Sequence, residues 1–253
     1  MERWETVNNA ILMASADDID FMIHGLFSYE IFGQTVWITT SHVCIAIVML
    51  VIILLAVIAN RKMAKAQEVP DSVQNVIEIV VEFLDGIVTN AMGKSAPKFR
   101  NYIGTIFIFI LISNISGVFG LRPPTADYGT TFALGVMTFC IIHYNQFKHN
   151  SLKSIWVDMC SPLPPWFPLW LPINLISEIA VPISLSLRLF ANVLSGTVMM
   201  ALVYGLLSKI ALVWPAALHV YFDLFSGAIQ TYVFCMLTMT YISQQMNDEA
   251  ETA

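Results

Sequence analysis

Within Pro172 to Gly196, PINLISEIAVPISLSLRLFANVLSG, a glutamate and an arginine interrupt chain that is otherwise compatible with lipid. Between Asp158 and Asp248 the only charged side chains are Glu178, Arg188, Lys209 and Asp223, each set in apolar sequence rather than on a charged face. A charge at the centre of a membrane helix costs about 2.5–3.5 kcal/mol even on the insertion scale, so an intramembrane arginine is read first as functional. The competing readings are an arginine that snorkels to the interface and one held in a structural ion pair. Arg188 lies far from either end of its apolar run, which disfavours the first.

On a helix, residues four and seven apart share a face. Arg188 then lines up with Ser184, Asn192 and Ser195, with the small residues Ala191 and Gly196 beside them, so that another helix can come close. Asp223 aligns with His219, Ser226, Gly227 and Gln230 in a second polar stripe. A buried Asp223 could simply pair with Arg188. Each stripe, however, adds amides and hydroxyls over two turns, as a hydrated proton or ion path needs. The chemistry open to such groups is transfer of an ion.

Long apolar helices must position these stripes. Val43 to Ala59 is seventeen consecutive apolar residues, and with Trp37 to His42 ahead of them residues 36–60 make a first span. Asn60, Arg61, Lys62 and Lys65 follow it and mark the cytoplasmic side, which leaves the amino-terminal segment, residues 1–34, outside. Residues 70–92 open with Pro70, Asp71 and Ser72 and show Val73, Val76, Ile77, Val80, Val81, Leu84, Ile87 and Val88 at helical spacing, broken by Glu78, Glu82 and Asp85. An amphipathic interfacial helix is expected there, a soluble packed helix being the alternative. Residues 101–121 and 130–147 give spans two and three around the turn Arg122 to Asp127, with Lys94, Lys98 and Arg100 before them and Lys148, His149 and Lys153 after them. Asn114 and Ser116, inside span two, are expected to bond across to another helix, with a direct part in ion passage kept open.

Pro162, Pro164, Pro165, Pro168 and Pro172 then break the chain. Residues 173–208, if one helix, reach about 54 Å, too long to stand upright, so strong tilt or a kink at Pro182 is required. Residues 211–243 invite the same conclusion, and the two make an antiparallel hairpin. The reading is an all-α polytopic membrane protein, one membrane domain over residues 1–253, with five transmembrane helices, an interfacial amphipathic helix and a long tilted hairpin formed by the last two helices.

Composition agrees. Of 253 residues, 57% are hydrophobic and 12% charged, and mean hydropathy is +0.70, above the range of soluble domains. A net charge of −6 offers no basic face for nucleic acid. No removable signal peptide is expected, since the first thirty residues carry acids instead of a basic flank and an apolar run. Cys44, Cys140, Cys160 and Cys235 show no paired spacing and are read as small apolar residues, and neither metal nor cofactor is expected.

The segments SLSLRLFANVLSG and FDLFSGAIQTYVFCMLTMTYIS closely resemble subunit a of the F-type ATP synthase membrane sector. The resemblance extends to VEFLDGIVTNAMG, to YIGTIFIFILISNISGVFGLRPPTADYGTT and to LPINLISEIAVPISLSLRLF, covering most of residues 70–243. It implies a non-catalytic, ion-translocating stator subunit in a bacterial plasma membrane, carboxyl terminus cytoplasmic. The implied partners are the rotating c-subunit ring, the b-subunit peripheral stalk, other ATP synthase subunits and the bilayer. It places Arg188 on the family's essential arginine, Asn192 on the asparagine one turn later, Glu178 on a glutamate one segment earlier, and Gln230 on the glutamine of the final helix. Asp223 takes a position where relatives place histidine or glutamate. Thr197 departs from the glutamate that many relatives carry, which leaves Asp223 as the sole acid of the implied outer path.

A fixed cation attracts a rotor carboxyl only when that carboxyl is ionised, so Arg188 favours proton release on approach. Its charge cannot be discharged, so it also blocks a direct leak between two paths. One path is expected to use Asp223, Asn192 and Gln230, the other Glu178, with protons or Na⁺ as the ion. An ion-coupled secondary transporter is the alternative, but it predicts an internal repeat that residues 36–147 and 166–243 do not show. A membrane hydrolase lacks its nucleophile and base pairing here, and His143 and His219 have no zinc-ligand companions in sequence.

Overall fold

The computed structural model describes residues 25–31, 34–64, 66, 71–119, 121–160, 171–206 and 214–247. The acidic tails, the proline-rich turn at 161–170 and the link 207–213 lie outside the described residues. Nearly all the rest is helical. Strands β1 (Gly25–Ile31) and β2 (Gln34–Thr39) pair antiparallel ahead of helix α1 (Thr40–Met63). The first span was expected from residue 36, but residues 36–39 belong to β2. The switch is made at Thr39, which is extended and whose hydroxyl lies 2.7 Å from His42 Nδ1, a reciprocal cap that starts the helix there.

Helix α2 (Ser72–Met92) is capped by Asp71, whose carboxylate accepts from the Ser72 amide at 2.9 Å. It ends at Gly93, whose φ of 52° lies in the left-handed region that glycine adopts without a Cβ penalty. A short 3₁₀ turn, Gly93–Ser95, then sends α3 (Ala96–Ile115) back along α2. The two are joined by the Arg100–Asp85 ion pair, by Leu84 against Gly104 and by the edge-on rings of Phe83 and Phe107, 6.5 Å between centroids. Helix α4 (Tyr128–His149) opens on Asp127, which accepts from the Gly129 amide at 2.9 Å, and a short α5 (Leu152–Cys160) follows.

Helix α6 (Leu171–Leu206) has 36 residues, about 54 Å of helix, with Pro182 inside it, so the expected long tilted element forms as one helix. The last helical stretch begins at Trp214, runs as α7 (Trp214–His219), widens into a π segment over Val220–Ser226 and continues as α8 (Gly227–Asn247). It extends four residues beyond the expected end at 243. Among the described residues four stretches are long and apolar enough to cross a membrane: Thr40–Met63, Ser72–Phe119, Leu171–Val203 and Ala217–Met246. Helix α4 is less apolar, but its 22 residues give about 33 Å and it packs along α6 and α8.

Close approaches fix the packing. A Cβ built on Gly135 of α4 falls 2.7 Å from the Pro182 carbonyl oxygen, so the backbones of α4 and α6 nearly touch. A Cβ on Gly227 falls 2.8 Å from Asn114 Cβ, bringing α3 onto the end of the π segment. Around these contacts lies a dry core of Ile103, Ile110, Leu185, Leu189, Phe234 and Met239, each at most 2% exposed. The outer surface is the reverse: α1 exposes Leu50, Ile53 and Leu54 by more than half, as a lipid-facing helix does.

Candidate functional site

The two polar stripes come together as an antiparallel hairpin. Gly196 of α6 packs on Phe222, its built Cβ 3.5 Å from Phe222 Cβ, and four residues back along α6, Asn192 Oδ1 accepts from Ser226 Oγ at 2.9 Å. Asp223 lies between these contacts in the π segment. Such wide turns are rare and concentrate at functional positions, because the extra residue turns side chains that an α-helix would aim elsewhere. His219 Nδ1 and Asp223 Oδ2 are 2.8 Å apart, with 35% and 20% of their side chains exposed. The carboxylate also rests on Gly117, where an added Cβ would come within 3.3 Å of Asp223 Cγ.

Asp223 is therefore the partner of His219, and the alternative in which it pairs with Arg188 is not what the geometry shows. Among the described residues Arg188 makes neither an ion pair nor a hydrogen bond, and it is exposed on α6 together with Ser184, Leu187, Ala191, Ser195 and Thr197. Ser195 and Thr197 turn their hydroxyls back to the Asn192 and Leu194 carbonyls at 2.9 and 2.8 Å. A lone guanidinium on a membrane-facing surface is unfavourable unless an anion from another molecule meets it.

Gln230 adds a second unmet group, since its Nε2 is enclosed without a hydrogen-bond partner. Asn114 bonds across helices as expected: Nδ2 donates to the Gly227 carbonyl at 3.1 Å and toward Thr231 Oγ1 at 3.4 Å, and Oδ1 accepts from Thr125 Oγ1 at 2.8 Å. It ties α3, the loop before α4 and α8 into one unit holding the π segment. Ser116 does not reach another helix; its hydroxyl donates to the Ser113 carbonyl of its own turn at 2.7 Å.

Glu178 lies ten residues before Arg188, about 15 Å along α6, at the opposite end of the molecule from Asp223. Its Oε2 is 3.6 Å from His143 Nε2 of α4. The pair borders a cleft of about 60 Å³ shared with Gln146, Tyr241 and Gln245. His143 and Gly117 were not singled out from the sequence as site residues. A histidine inside a span is the one signal that pointed to the first; nothing local distinguishes Gly117. Between the Asp223 and Glu178 clusters lie Leu185, Leu189 and Phe234, all buried, an apolar layer between two polar clusters.

The profile of the ATP synthase A chain family matches residues 42–243. The chain is 37% identical over 196 residues to the sodium-ion-specific ATP synthase subunit a of Propionigenium modestum, covering 71% of this chain and 65% of that protein's length. It is 32% identical over 204 residues to ATP synthase subunit a of Sulfurihydrogenibium sp., covering 80% of this chain and 95% of the relative, and 30% identical over 243 residues to that of Anoxybacillus flavithermus, covering 90% and 100%. With its long apolar helices and these relatives, the chain belongs to the ATP synthase A chain family, as a multi-pass, bacterial-type subunit a with the ion-channel role of the synthase membrane sector.

Proposed function

We propose that this subunit is the stator of the rotary motor, offering two half-channels on either side of Arg188 to a ring of c subunits. The observation that carries the reading is an exposed guanidinium without a counter-ion among the described residues, set between two separate acid–histidine pairs. A rotor carboxylate that arrives ionised satisfies Arg188 and one that arrives protonated does not, so the arginine drives proton release on approach. Because a guanidinium keeps its charge, it also bars direct passage between the half-channels.

In this reading Asp223, His219, Asn192, Ser226 and Gln230 serve the outer path, and Glu178 serves the inner one. Ser184, Ser195 and Thr197 line the face on which the ring slides, while Asn114 holds the outer cluster in register. The enclosed, unpartnered amide of Gln230 suits a position that is completed by water or by the ring. The protein itself makes and breaks no covalent bond. The b-subunit stalk and the other synthase subunits hold it against the rotor, in a bacterial plasma membrane. Basic residues after α1 and after α4 support an orientation with the amino-terminal segment outside and the carboxyl terminus in the cytoplasm, and the acids of α2 support its lying at the cytoplasmic interface.

The test is Arg188→Ala in membranes containing the whole synthase. The complex assembles at normal levels, because the side chain removed makes no ion pair or hydrogen bond among the described residues, and ion-driven ATP synthesis is lost. Synthesis at the normal rate ends the reading. Arg188→Lys is also severely impaired, since an ammonium can shed its proton and lacks the planar fork. The coupling ion in this reading is the proton. The sodium specificity of the Propionigenium modestum relative supports Na⁺ as a second reading, and ATP synthesis driven by a sodium gradient in the presence of a protonophore selects it.

A further inference from the structure

We infer that His143 is a second proton-exchanging group of the inner path, trading its proton with Glu178 at Nε2; this rests on the reading above, in which Glu178 serves that path. The ring is fixed before any proton arrives. His143 Nδ1 lies 3.1 Å from the Phe139 carbonyl oxygen of its own helix. A carbonyl oxygen only accepts, so in the neutral ring Nδ1 carries the hydrogen and Nε2 keeps the lone pair. Phe139 also packs on the imidazole, 4.0 Å between centroids, which holds its plane.

The basic nitrogen therefore faces Glu178, 3.6 Å from Oε2, a separation that a small side-chain rotation shortens to a hydrogen bond. Both groups are partly exposed, at 23% and 32% of their side chains, and they share the cleft with the Gln146 and Gln245 amides and the Tyr241 phenol. Its volume of about 60 Å³ has room for a few waters beside these polar groups. Among the described residues, the titratable groups lining this cleft are His143, Glu178 and Tyr241.

The proton count closes at each step. In the exit direction the Glu178 carboxylic acid gives its proton to Nε2, leaving a carboxylate beside an imidazolium. The imidazolium releases the same proton to water in the cleft, which restores the neutral ring. Glu178 stays ionised until the rotor delivers the next proton. A histidine kept only for packing has no use for a free Nε2 aimed at an acid across two helices.

The experiment uses inverted membrane vesicles containing the complete synthase, in which the bath meets the cytoplasmic face. ATP-driven proton uptake and the amount of assembled complex are measured for wild type and for His143→Ala. Uptake per complex falls roughly a hundredfold, the low side of what a positioned acid–base group contributes. Imidazole added to the bath restores part of it. Pyrazole, of the same size but a far weaker base, does not. Wild-type uptake in His143→Ala, equal restoration by pyrazole, or a wild-type enzyme that takes up sodium in place of protons overturns the inference. Should His143→Ala assemble poorly, His143→Gln, which fills the site and can donate to the Phe139 carbonyl but takes no proton, shows the same loss; normal uptake by that variant overturns it. Arg188→Ala run in parallel separates the failures: if it stays coupled the whole reading falls, whereas lost coupling there with normal His143→Ala removes only His143.

Discussion

Gly135→Ala tests the backbone approach that sets α6 against α4. The added methyl carbon falls 2.7 Å from the Pro182 carbonyl oxygen and 3.4 Å from Ser186 Cβ. A close carbon–oxygen contact is about 3.3 Å, so the helices must part by about 0.6 Å at this point. The nearest atom is backbone in the middle of a 36-residue helix, and no flexible side chain can absorb the shift. Overpacking of this kind costs about 1–3 kcal/mol. Arg188 sits six residues further along α6, so the displacement also moves the guanidinium relative to the passing rotor. Misplacement approaching 1 Å can cost about 10²-fold where reacting groups must align. The expected result is a lower melting temperature of the detergent-solubilised complex and a larger fall in ion-driven ATP synthesis per assembled complex. Gly86→Ala is the control: nothing lies within 4 Å of its built Cβ, and inside α2 the change stabilises by about 0.5–1 kcal/mol. A Gly135→Ala enzyme that assembles, melts and synthesises ATP like wild type would refute the reasoning.

Asp223→Asn keeps the shape against Gly117 but removes the charge beside His219, and it slows ion passage about tenfold or more while the complex still assembles; unchanged ATP-driven pumping would remove Asp223 from the outer path. Asn114→Ala strands the Thr125 hydroxyl in a buried site and cuts the tie to the Gly227 carbonyl, which keeps the Thr231 hydroxyl at 2.8 Å, at a cost of about 1–3 kcal/mol; the thermal midpoint of the purified complex reads it, and a midpoint equal to wild type contradicts the bracing role. For the orientation, a cysteine placed at Ser72 is protected from an impermeant thiol reagent in intact cells and labelled in inverted vesicles; labelling of intact cells reverses the assignment.

What could be read along the chain was whatever is local to one helix. The cost of polar groups in hydrocarbon marks the apolar runs, and the 3.6-residue period alone puts His219 and Asp223 side by side. Arg188 was conspicuous for the same reason, as a charge with nothing charged within nine residues on either side. The exact start of α1 was not legible, because Thr39 and His42 cap the helix against a strand pairing that apolar composition does not encode. Only the tertiary structure decided which groups meet across helices. Asn192 meets Ser226 across the hairpin, Asn114 holds a carbonyl 113 residues away, and Gly135 admits the Pro182 backbone. His143 and Glu178 face each other from helices that are not consecutive in sequence, a juxtaposition set by how deeply α4 slides along α6. It also decided that Arg188 has no ion-pair or hydrogen-bond partner among the described residues. Helical periodicity places a side chain on a face, but which face finds a neighbour depends on backbone approaches of a few tenths of an ångström, made by glycines whose spacing carries no such information.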